Sequence, residues 1–196
     1  MKRTLFLVRH GETLFNQQKK IQGWCDSPLT QKGVAQACMV KKYFLQNNIQ
    51  IDSAYTSTSE RAVDTLELIT SKPYTRIKEL KEWNFGTYEG ESVSLNPPLP
   101  YGDYFEQFGG EREHQFRTRV STALQKIMNQ DKGENILVVS HGAACRQFMR
   151  NWEHKSTVDQ KSRIGNCCVL KFDYEDEQFT LVDIINHEFS ESNAIM

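Results

Sequence analysis

Two apolar runs that each end in a His-Gly pair constrain this chain more than any other feature. They read LFLVRHG at residues 5–11 and ILVVSHG at residues 136–142. Short apolar runs bounded by turn residues are typical of buried strands. In open α/β sheets, ligands bind beyond the carboxyl ends of the strands. The pattern therefore predicts that His10 and His141 share one crevice, although they lie far apart in the sequence.

Strands and helices are expected to alternate along the chain. Strands are predicted at residues 4–8, 49–55 and 135–140, with a polar loop from the first strand to Pro28. Helices are predicted at about 31–46 after an N-cap at Thr30, from 56–59 to about 70, at about 111–129, and from 142 to about Trp152. The segment at 167–185 predicts an antiparallel hairpin. This order indicates an α/β domain of three layers, α/β/α, with a mostly parallel central sheet.

One segment departs from this alternation. The length of 196 residues suits a single domain over residues 1–196. Residues 91–110 contain three prolines, three glycines and four aromatic residues, and we call them the lid segment. Their composition predicts a loop-rich insertion that covers a site rather than part of the sheet.

Charge and composition exclude several kinds of partner. The formal net charge is -1, so neither nucleic acid nor an anionic membrane is expected to bind. No apolar run approaches the roughly 18–20 residues of a membrane span. The oligomeric state stays open, because no long apolar surface stands out. The five cysteines include an adjacent pair and form no C-x-x-C. They predict reduced thiols in a cytoplasmic protein rather than a disulfide framework or a zinc site.

Two arginines join the two histidines in the predicted crevice. Arg9 precedes His10, and Arg61 begins the helix that follows the second strand, in TSTSERAVDT at 56–65. Arginine binds two phosphate oxygens at once, so the set matches a dianionic phosphoryl group. A neutral imidazole is a competent nucleophile at phosphorus, and nearby arginines are expected to lower its pKa. The best stretch for an acid is ELKEWNFGTYEG at 79–90.

Four motifs follow one another in the order in which a known family carries them. They are RHGET with Asn16, GW at 23–24 and PLTQKG at 28–33; TSTSERAVDT; KEWNFGTYEG; and VVSHG. Together they resemble the histidine phosphatase superfamily, whose best-known members are the cofactor-dependent phosphoglycerate mutases. The resemblance spans residues 5 to about 150 and implies a phosphoglycerate mutase-like fold.

The resemblance implies a role for each residue of the predicted pocket. His10 would accept the phosphoryl group, and Glu82 would protonate the leaving alkoxide and then activate water. The residues that would bind phosphate are Arg9, Asn16, the backbone near Gly23, Arg61 and His141. No metal and no cofactor is implied, because arginine and imidazolium act as the electrophiles.

Other carboxylates compete with Glu82 for the role of the acid. They are Glu12, Glu79 and Glu89; Glu79 is expected to end a strand, and Glu89 to face solvent or support a turn. The sequence also departs from the phosphatase branch, which often reads GGES where this chain has GGER at 109–112. A contact made by that serine would be lost.

The lid segment favours hydrolysis over phosphoryl transfer to a second anionic group. It contains no Lys or Arg, and it carries Glu91, Asp103 and Glu106. Such a lid would repel a second phosphate and accept a less charged leaving group. A phosphomonoester hydrolase acting on a small molecule is therefore predicted. The alternatives are a 2,3-bisphosphoglycerate-dependent phosphoglycerate mutase, a non-catalytic phospho-ligand binder, and a zinc hydrolase using His10, His141 and Glu82.

Overall fold

A six-stranded mixed sheet forms the centre of this computed structural model, which describes residues 2–187. The strands are β1 (Arg3–Arg9), β2 (Ser53–Ser57), β3 (Tyr74–Ile77), β4 (Asn135–Ser140), β5 (Val169–Glu175) and β6 (Gln178–Ile185). Their order is β3-β2-β4-β1-β5-β6. Neighbours from β3 to β1 run parallel, whereas β1, β5 and β6 pair antiparallel. The predicted hairpin at the end of the chain is therefore confirmed.

Helices cover both faces of this sheet. They are α1 (Leu14–Gln17), α2 (Gln31–Gln46), α3 (Glu60–Ile69), α4 (Glu113–Gln130) and α5 (Gly142–Asn151). Leu5 and Leu7 of β1 belong to the core that includes α4 and α5, while Phe6 and Val8 belong to the core with α2 and α3. Successive side chains of a strand point to opposite faces, so a strand covered on both faces is apolar throughout.

Several boundaries differ from the sequence prediction. Residues 49–52 are not part of the sheet, because the Ile49 amide donates to the Phe44 carbonyl at 2.9 Å and closes the end of α2. The predicted polar loop contains α1, which begins with a capping box between Thr13 and Asn16. Glu79 lies in a 3-10 turn after β3 and does not end a strand.

Two helices also begin later than predicted. Residues 56 and 57 belong to β2, and α3 begins at Glu60. Helix α4 begins at Glu113, and the amide of Glu111 before it donates to the Asn84 carbonyl at 2.9 Å. The predicted helix at 31–46 and the predicted strand at 135–140 agree with α2 and β4.

The lid segment is folded against the core by its aromatic residues. Two 3-10 helices, Val93–Leu95 and Tyr104–Phe108, lie within it. Phe105 is fully buried, and its ring centroid lies 4.9 Å from that of Phe85 and 5.5 Å from that of Tyr88. One ring of the lid segment is therefore committed to packing rather than to a ligand.

Two further sequence expectations concern the cysteines and membrane spans. All five cysteines are free thiols, and Cys145, Cys167 and Cys168 are buried. Among the residues described, no helix combines the length and apolar character needed to cross a membrane.

The contact between α2 and the loop after β1 generates a stability prediction. Alanine normally stabilises a helix interior by about 1 kcal/mol relative to glycine. At Gly33, however, a Cβ atom would lie 2.1 Å from the Glu12 carbonyl oxygen. We expect Gly33→Ala to lower the free energy of unfolding by about 1–3 kcal/mol because of this overlap. Thermal denaturation checks it, with the exposed Lys41→Ala in the same helix as control. A raised Tm for Gly33→Ala would contradict the contact.

Candidate active site

The two His-Gly pairs meet at one edge of the sheet. Strands β1 and β4 are parallel neighbours with Arg9 opposite Ser140, and the His10 amide donates to the Ser140 carbonyl at 3.0 Å. The rings of His10 and His141 are buried, with centroids 5.4 Å apart. The structure thus brings together the two histidines that the sequence pattern linked.

Arg61 reaches the same place from the first turn of α3. Its side chain is fully buried and donates to the carbonyls of Gly23 at 2.8 Å and Cys25 at 3.0 Å. It also pairs with Asp26 at 2.9 Å. These contacts fix the guanidinium before any ligand arrives, and they place beside it a carboxylate that the sequence analysis did not include in the site.

Arg9 approaches from the end of β1, across the start of α5. One terminal nitrogen donates to the Ile164 carbonyl at 2.8 Å. Its Nε lies 3.2 Å from the position that a Cβ atom on Gly142 would occupy. Glycine after the second histidine therefore leaves room for the guanidinium. Burial lowers the pKa of Arg9, and the charge of Glu82 opposes that shift.

Three nitrogen atoms of this cluster have no hydrogen-bond partner among the described residues. They are Nε of Arg9, Nε of Arg61 and Nδ1 of His141, and all three are buried. Leaving a buried polar group unsatisfied costs about 1–3 kcal/mol. Unpaired nitrogens on two cations and an imidazole form a set that an oxyanion could satisfy.

The ring of His10 is oriented by its own loop. Its Nδ1 lies 2.8 Å from the Gly11 carbonyl oxygen, which can only accept, so Nδ1 carries the proton and Nε2 keeps a free lone pair. The pKa of His10 is held well below its usual value. Burial is the main cause and the charges of Arg61 and Arg9 come second, whereas the sequence analysis had named only the arginines.

The environment of His141 also disfavours its charged form. Its Nε2 lies 2.8 Å from the Ser57 hydroxyl. Burial lowers its pKa well below the usual value, and Arg61 and His10 lower it further. The imidazolium expected from the family resemblance therefore requires an anion in the pocket, because a negative charge nearby would raise this pKa.

Glu82 sits at the start of α5 with both carboxylate oxygens engaged. They accept from the amides of Ala143 at 2.8 Å, Ala144 at 3.1 Å and Trp83 at 2.9 Å. Burial raises the pKa of Glu82 above its usual value, although these amide bonds and the charges of Arg61 and Arg9 oppose the shift. A raised pKa suits a carboxyl group that must carry a proton near neutral pH.

Of the three competing carboxylates, two bind other groups of the protein and one is exposed to solvent. Glu12 accepts from the Thr30 hydroxyl at 3.0 Å and pairs with Lys32 at 3.1 Å. Glu89 accepts from the amides of Trp24 at 2.7 Å and Phe85 at 3.2 Å, so it supports the turn as predicted. Glu79 is exposed.

Asn16 and Gly23 both accept hydrogen bonds from other residues of the chain. The Asn16 side-chain oxygen accepts from the Thr13 amide at 3.2 Å and from the Asn166 side chain at 3.0 Å. Gly23 holds Arg61 through its carbonyl oxygen, and a Cβ atom there would lie 2.3 Å from the Trp83 carbonyl oxygen. Only glycine fits at this close approach.

Sequence reasoning gave no role to three residues that support the site. Ser57 contacts His141, Asp26 contacts Arg61, and the side chain of Asn166 donates to the His10 carbonyl at 3.2 Å. Ser57 lies inside the TSTSERAVDT motif, where a polar residue at the end of a buried strand was the available signal. Asn166 lies 156 positions from His10, and no local pattern links them.

The described residues offer no metal cluster. Within residues 2–187, no three His, Cys, Asp or Glu side chains are grouped so that they could hold a metal ion. His10 and His141 have neighbouring rings, but both oxygens of Glu82 accept from backbone amides. This arrangement gives no support to the zinc alternative.

Comparison with known proteins decides the family. The sequence profile of the histidine phosphatase superfamily (branch 1) matches residues 5–187. The chain belongs to the histidine phosphatase superfamily. The six-stranded sheet with its flanking helices is the phosphoglycerate mutase-like α/β fold of this superfamily, as predicted.

Relatives in this superfamily carry both mutase and phosphatase names. Phosphoglycerate mutase-like protein 4 from Arabidopsis thaliana is 33% identical, over 74% of this chain and 68% of that protein. A phosphoglycerate mutase structure from Bacillus anthracis is 28% identical, with a TM-score of 0.81 and 92% of each chain covered. A phosphoserine phosphatase from Entamoeba histolytica, in complex with 3-phosphoglyceric acid, is 27% identical, with a TM-score of 0.76, covering 95% and 98% of the two chains.

The buried neutral histidines generate a prediction for acid stability. Unfolded histidine has a pKa near 6.5, whereas those of His10 and His141 are well below it in the fold. As pH falls below about 6.5, only the unfolded state gains these protons, so stability decreases by up to about 1.4 kcal/mol per pH unit for each histidine.

Denaturation between pH 7.5 and 5.5 measures this slope. The double variant His10→Gln/His141→Gln should lose stability less steeply than the wild type. The exposed His114→Gln is the control and should keep the wild-type slope. Equal slopes for the wild type and the double variant would show that the two histidines are not held neutral.

Proposed function

We propose that this protein is a metal-independent phosphomonoester hydrolase that acts through a phosphohistidine on His10. The observation that carries the proposal is the pairing of two groups in one cationic pocket. His10 has a free Nε2 and a lowered pKa, and Glu82 is a buried carboxyl with a raised pKa. The two shifts go in opposite directions, and each favours the form that phosphoryl transfer through histidine needs: a neutral imidazole and a protonated carboxyl group.

The proposed reaction has two steps. The substrate's phosphoryl oxygens bind the unpaired nitrogens of Arg9, Arg61 and His141. Nε2 of His10 attacks phosphorus, the P–O bond to the leaving group breaks, and Glu82 gives its proton to the departing alkoxide. Glu82, now ionised, removes a proton from water, which attacks phosphorus and breaks the P–N bond. Inorganic phosphate leaves, and His10 and Glu82 return to their starting states.

Hydrolysis is favoured over mutase chemistry by the charge of the lid segment. Mutase action requires cationic groups for a second anionic end of the substrate. The lid segment has none, and the nearby Arg112 of GGER pairs with Glu106 of the lid at 2.5 Å. We propose a small phosphorylated molecule as substrate and the cytoplasm as location. Phosphoglycerate mutase is the second candidate, since the superfamily relatives include mutases.

A panel of phosphomonoesters tests the reaction class. We expect p-nitrophenyl phosphate and phosphoserine to be hydrolysed in excess EDTA, with inhibition by vanadate, because the pocket supplies its own positive charge. Phosphoglycerate mutase activity with 2,3-bisphosphoglycerate is measured alongside. Mutase turnover above hydrolysis of every ester would reject the hydrolase in favour of the second candidate.

A matched pair of histidine variants controls this assay. His10→Ala should abolish turnover and leave no acid-labile phosphoenzyme after a rapid quench, whereas His114→Ala, on the exposed face of α4, should retain both. Full turnover in His10→Ala would rule out the proposed nucleophile. Phosphate-ester binding without turnover in the wild type would indicate the non-catalytic binder.

The role of Glu82 is tested by the leaving group. Glu82→Gln cannot supply a proton, so kcat/KM for phosphoserine, whose alkoxide leaves poorly, should fall about 10²–10⁴-fold. The p-nitrophenolate ion leaves without protonation, so kcat/KM for its ester should fall far less. With phosphoserine, wild-type kcat/KM should also decrease at alkaline pH, as Glu82 ionises above its raised pKa. Equal losses for both esters would remove Glu82 from the role of the acid.

A further inference from the structure

The segment that carries Glu82 has no regular secondary structure to hold it. Residues 81–85 lie between the 3-10 turn Lys78–Leu80 and the next 3-10 turn, Gly86–Tyr88, and none of them belongs to a helix or strand. Their backbone groups therefore need partners from outside the segment. One side chain on α4 binds two of them, the carbonyls of Lys81 and Glu82.

Arg119 on α4 uses all of its N–H groups to bind backbone carbonyls here and the side chain of Glu111. Its Nη1 donates to the carbonyls of Glu79 at 2.7 Å and Lys81 at 3.0 Å, and its Nη2 donates to the carbonyl of Glu82 at 3.1 Å. Its Nε and Nη2 also bind the two oxygens of Glu111, each at 2.7 Å. A guanidinium has five N–H groups, and these five bonds use all of them.

Glu111 makes hydrogen bonds to Trp83 and Asn84, the two residues that follow Glu82. Its carboxylate accepts from the Asn84 amide at 2.9 Å. Its backbone amide donates to the Asn84 carbonyl, and its carbonyl accepts from the Trp83 indole at 2.7 Å. The pair Arg119–Glu111 therefore holds the chain before and after the acid, and both side chains are mostly buried, at 18% and 17% exposure.

We infer that Arg119, oriented by Glu111, is a positioning residue that fixes the proton donor Glu82 in its reactive geometry. The inference rests on the proposed role of Glu82. Arg119 touches the backbone of the acid and not its carboxyl group, so its effect is on where that carboxyl stands relative to the leaving oxygen. Loss of this clamp removes the donors to the carbonyls of Glu79 and Lys81 and leaves that of Glu82 with the Trp24 indole, while the carboxyl still contacts the amides of α5.

Arginine is required here for its shape as well as its charge. The planar fork reaches Glu111 on one side and three carbonyls on the other, whereas a lysine ammonium has three donors around one point. Arg119→Lys is therefore expected to behave like Arg119→Ala. Arg119 also lines a surface groove of about 630 Å³, through which a small cation could enter in its place.

The leaving-group comparison tests the inference. A displacement of about 1 Å can cost on the order of 10²-fold in rate, so kcat/KM of Arg119→Ala for phosphoserine should fall about 10- to 100-fold. For p-nitrophenyl phosphate the fall should be much smaller, because that leaving group needs no proton. Added guanidinium ion at millimolar concentration should partly restore phosphoserine hydrolysis in Arg119→Ala.

Arg117→Ala is the matched control. Arg117 lies on the same helix and pairs with Glu113 at 2.5 Å. Its other hydrogen bond goes to Gln147 and not to the segment 81–85 that carries Glu82. This variant should lose activity on neither ester and should not respond to guanidinium. If Arg119→Ala fails to fold, Glu111→Gln takes its place in the comparison, since it weakens the fork without removing the arginine.

The outcomes separate this inference from the proposed function. If Glu82→Gln discriminates between the two esters but the Arg119 or Glu111 variant loses both equally, or loses neither, the positioning role is wrong and the proposed acid stands. If Glu82→Gln itself does not discriminate, the proposed acid is wrong and the positioning role fails with it.

Discussion

The parallel pairing of β1 with β4 is the contact on which the site depends. It sets Arg9 opposite Ser140, so that each strand releases its histidine at the same edge of the sheet. A slip of one residue in a strand would exchange its two faces. Because β1 is apolar on both faces and packs between two cores, such a slip would bury the same kinds of side chain but would separate His10 from His141.

Burial, more than any single charge, sets the chemistry of the pocket. His10 and His141 lose solvent, which holds both imidazoles neutral, and Glu82 loses solvent, which raises its pKa. Backbone carbonyls and Asp26 compensate part of the desolvation of the buried Arg61 and the partly buried Arg9. Within the site, Nε of Arg9, Nε of Arg61 and Nδ1 of His141 stay unpaired among the described residues, and these are the groups that the proposed phosphoryl ligand would satisfy.

The proposed nucleophile and the proposed acid are held by different means. His10 follows a central strand and is held by the sheet. Glu82 lies in a segment without regular structure, and side chains from α4, α5 and the GW loop hold it: Arg119, the amides at the start of α5, and the indole of Trp24, which donates to the Glu82 carbonyl at 3.0 Å. Loops that carry function are commonly fixed in this way by a rigid scaffold.

Most strands and helices followed from the sequence because apolar runs, turn residues and caps are local signals, although α1 and β3 were not predicted. Helix α2 and strand β4 matched, and the motif order identified the superfamily. The strand expected at 49–55 begins only at Ser53 in the structure, since periodicity alone does not show that the Ile49 amide is needed to close α2. Helix α4 likewise begins later than expected, at Glu113.

By itself, the sequence determined which groups could react: two histidines after apolar runs, two arginines, and a carboxyl in an aromatic loop. Only the tertiary structure decided which carboxylates were already committed, which nitrogens stayed unpaired, and that Asp26, Ser57 and Asn166 support the pocket. It also decided that Arg119 binds backbone carbonyls at and before Glu82. The reason is physical: hydrogen bonds and burial join residues that are distant in the chain, and no local pattern records those distances.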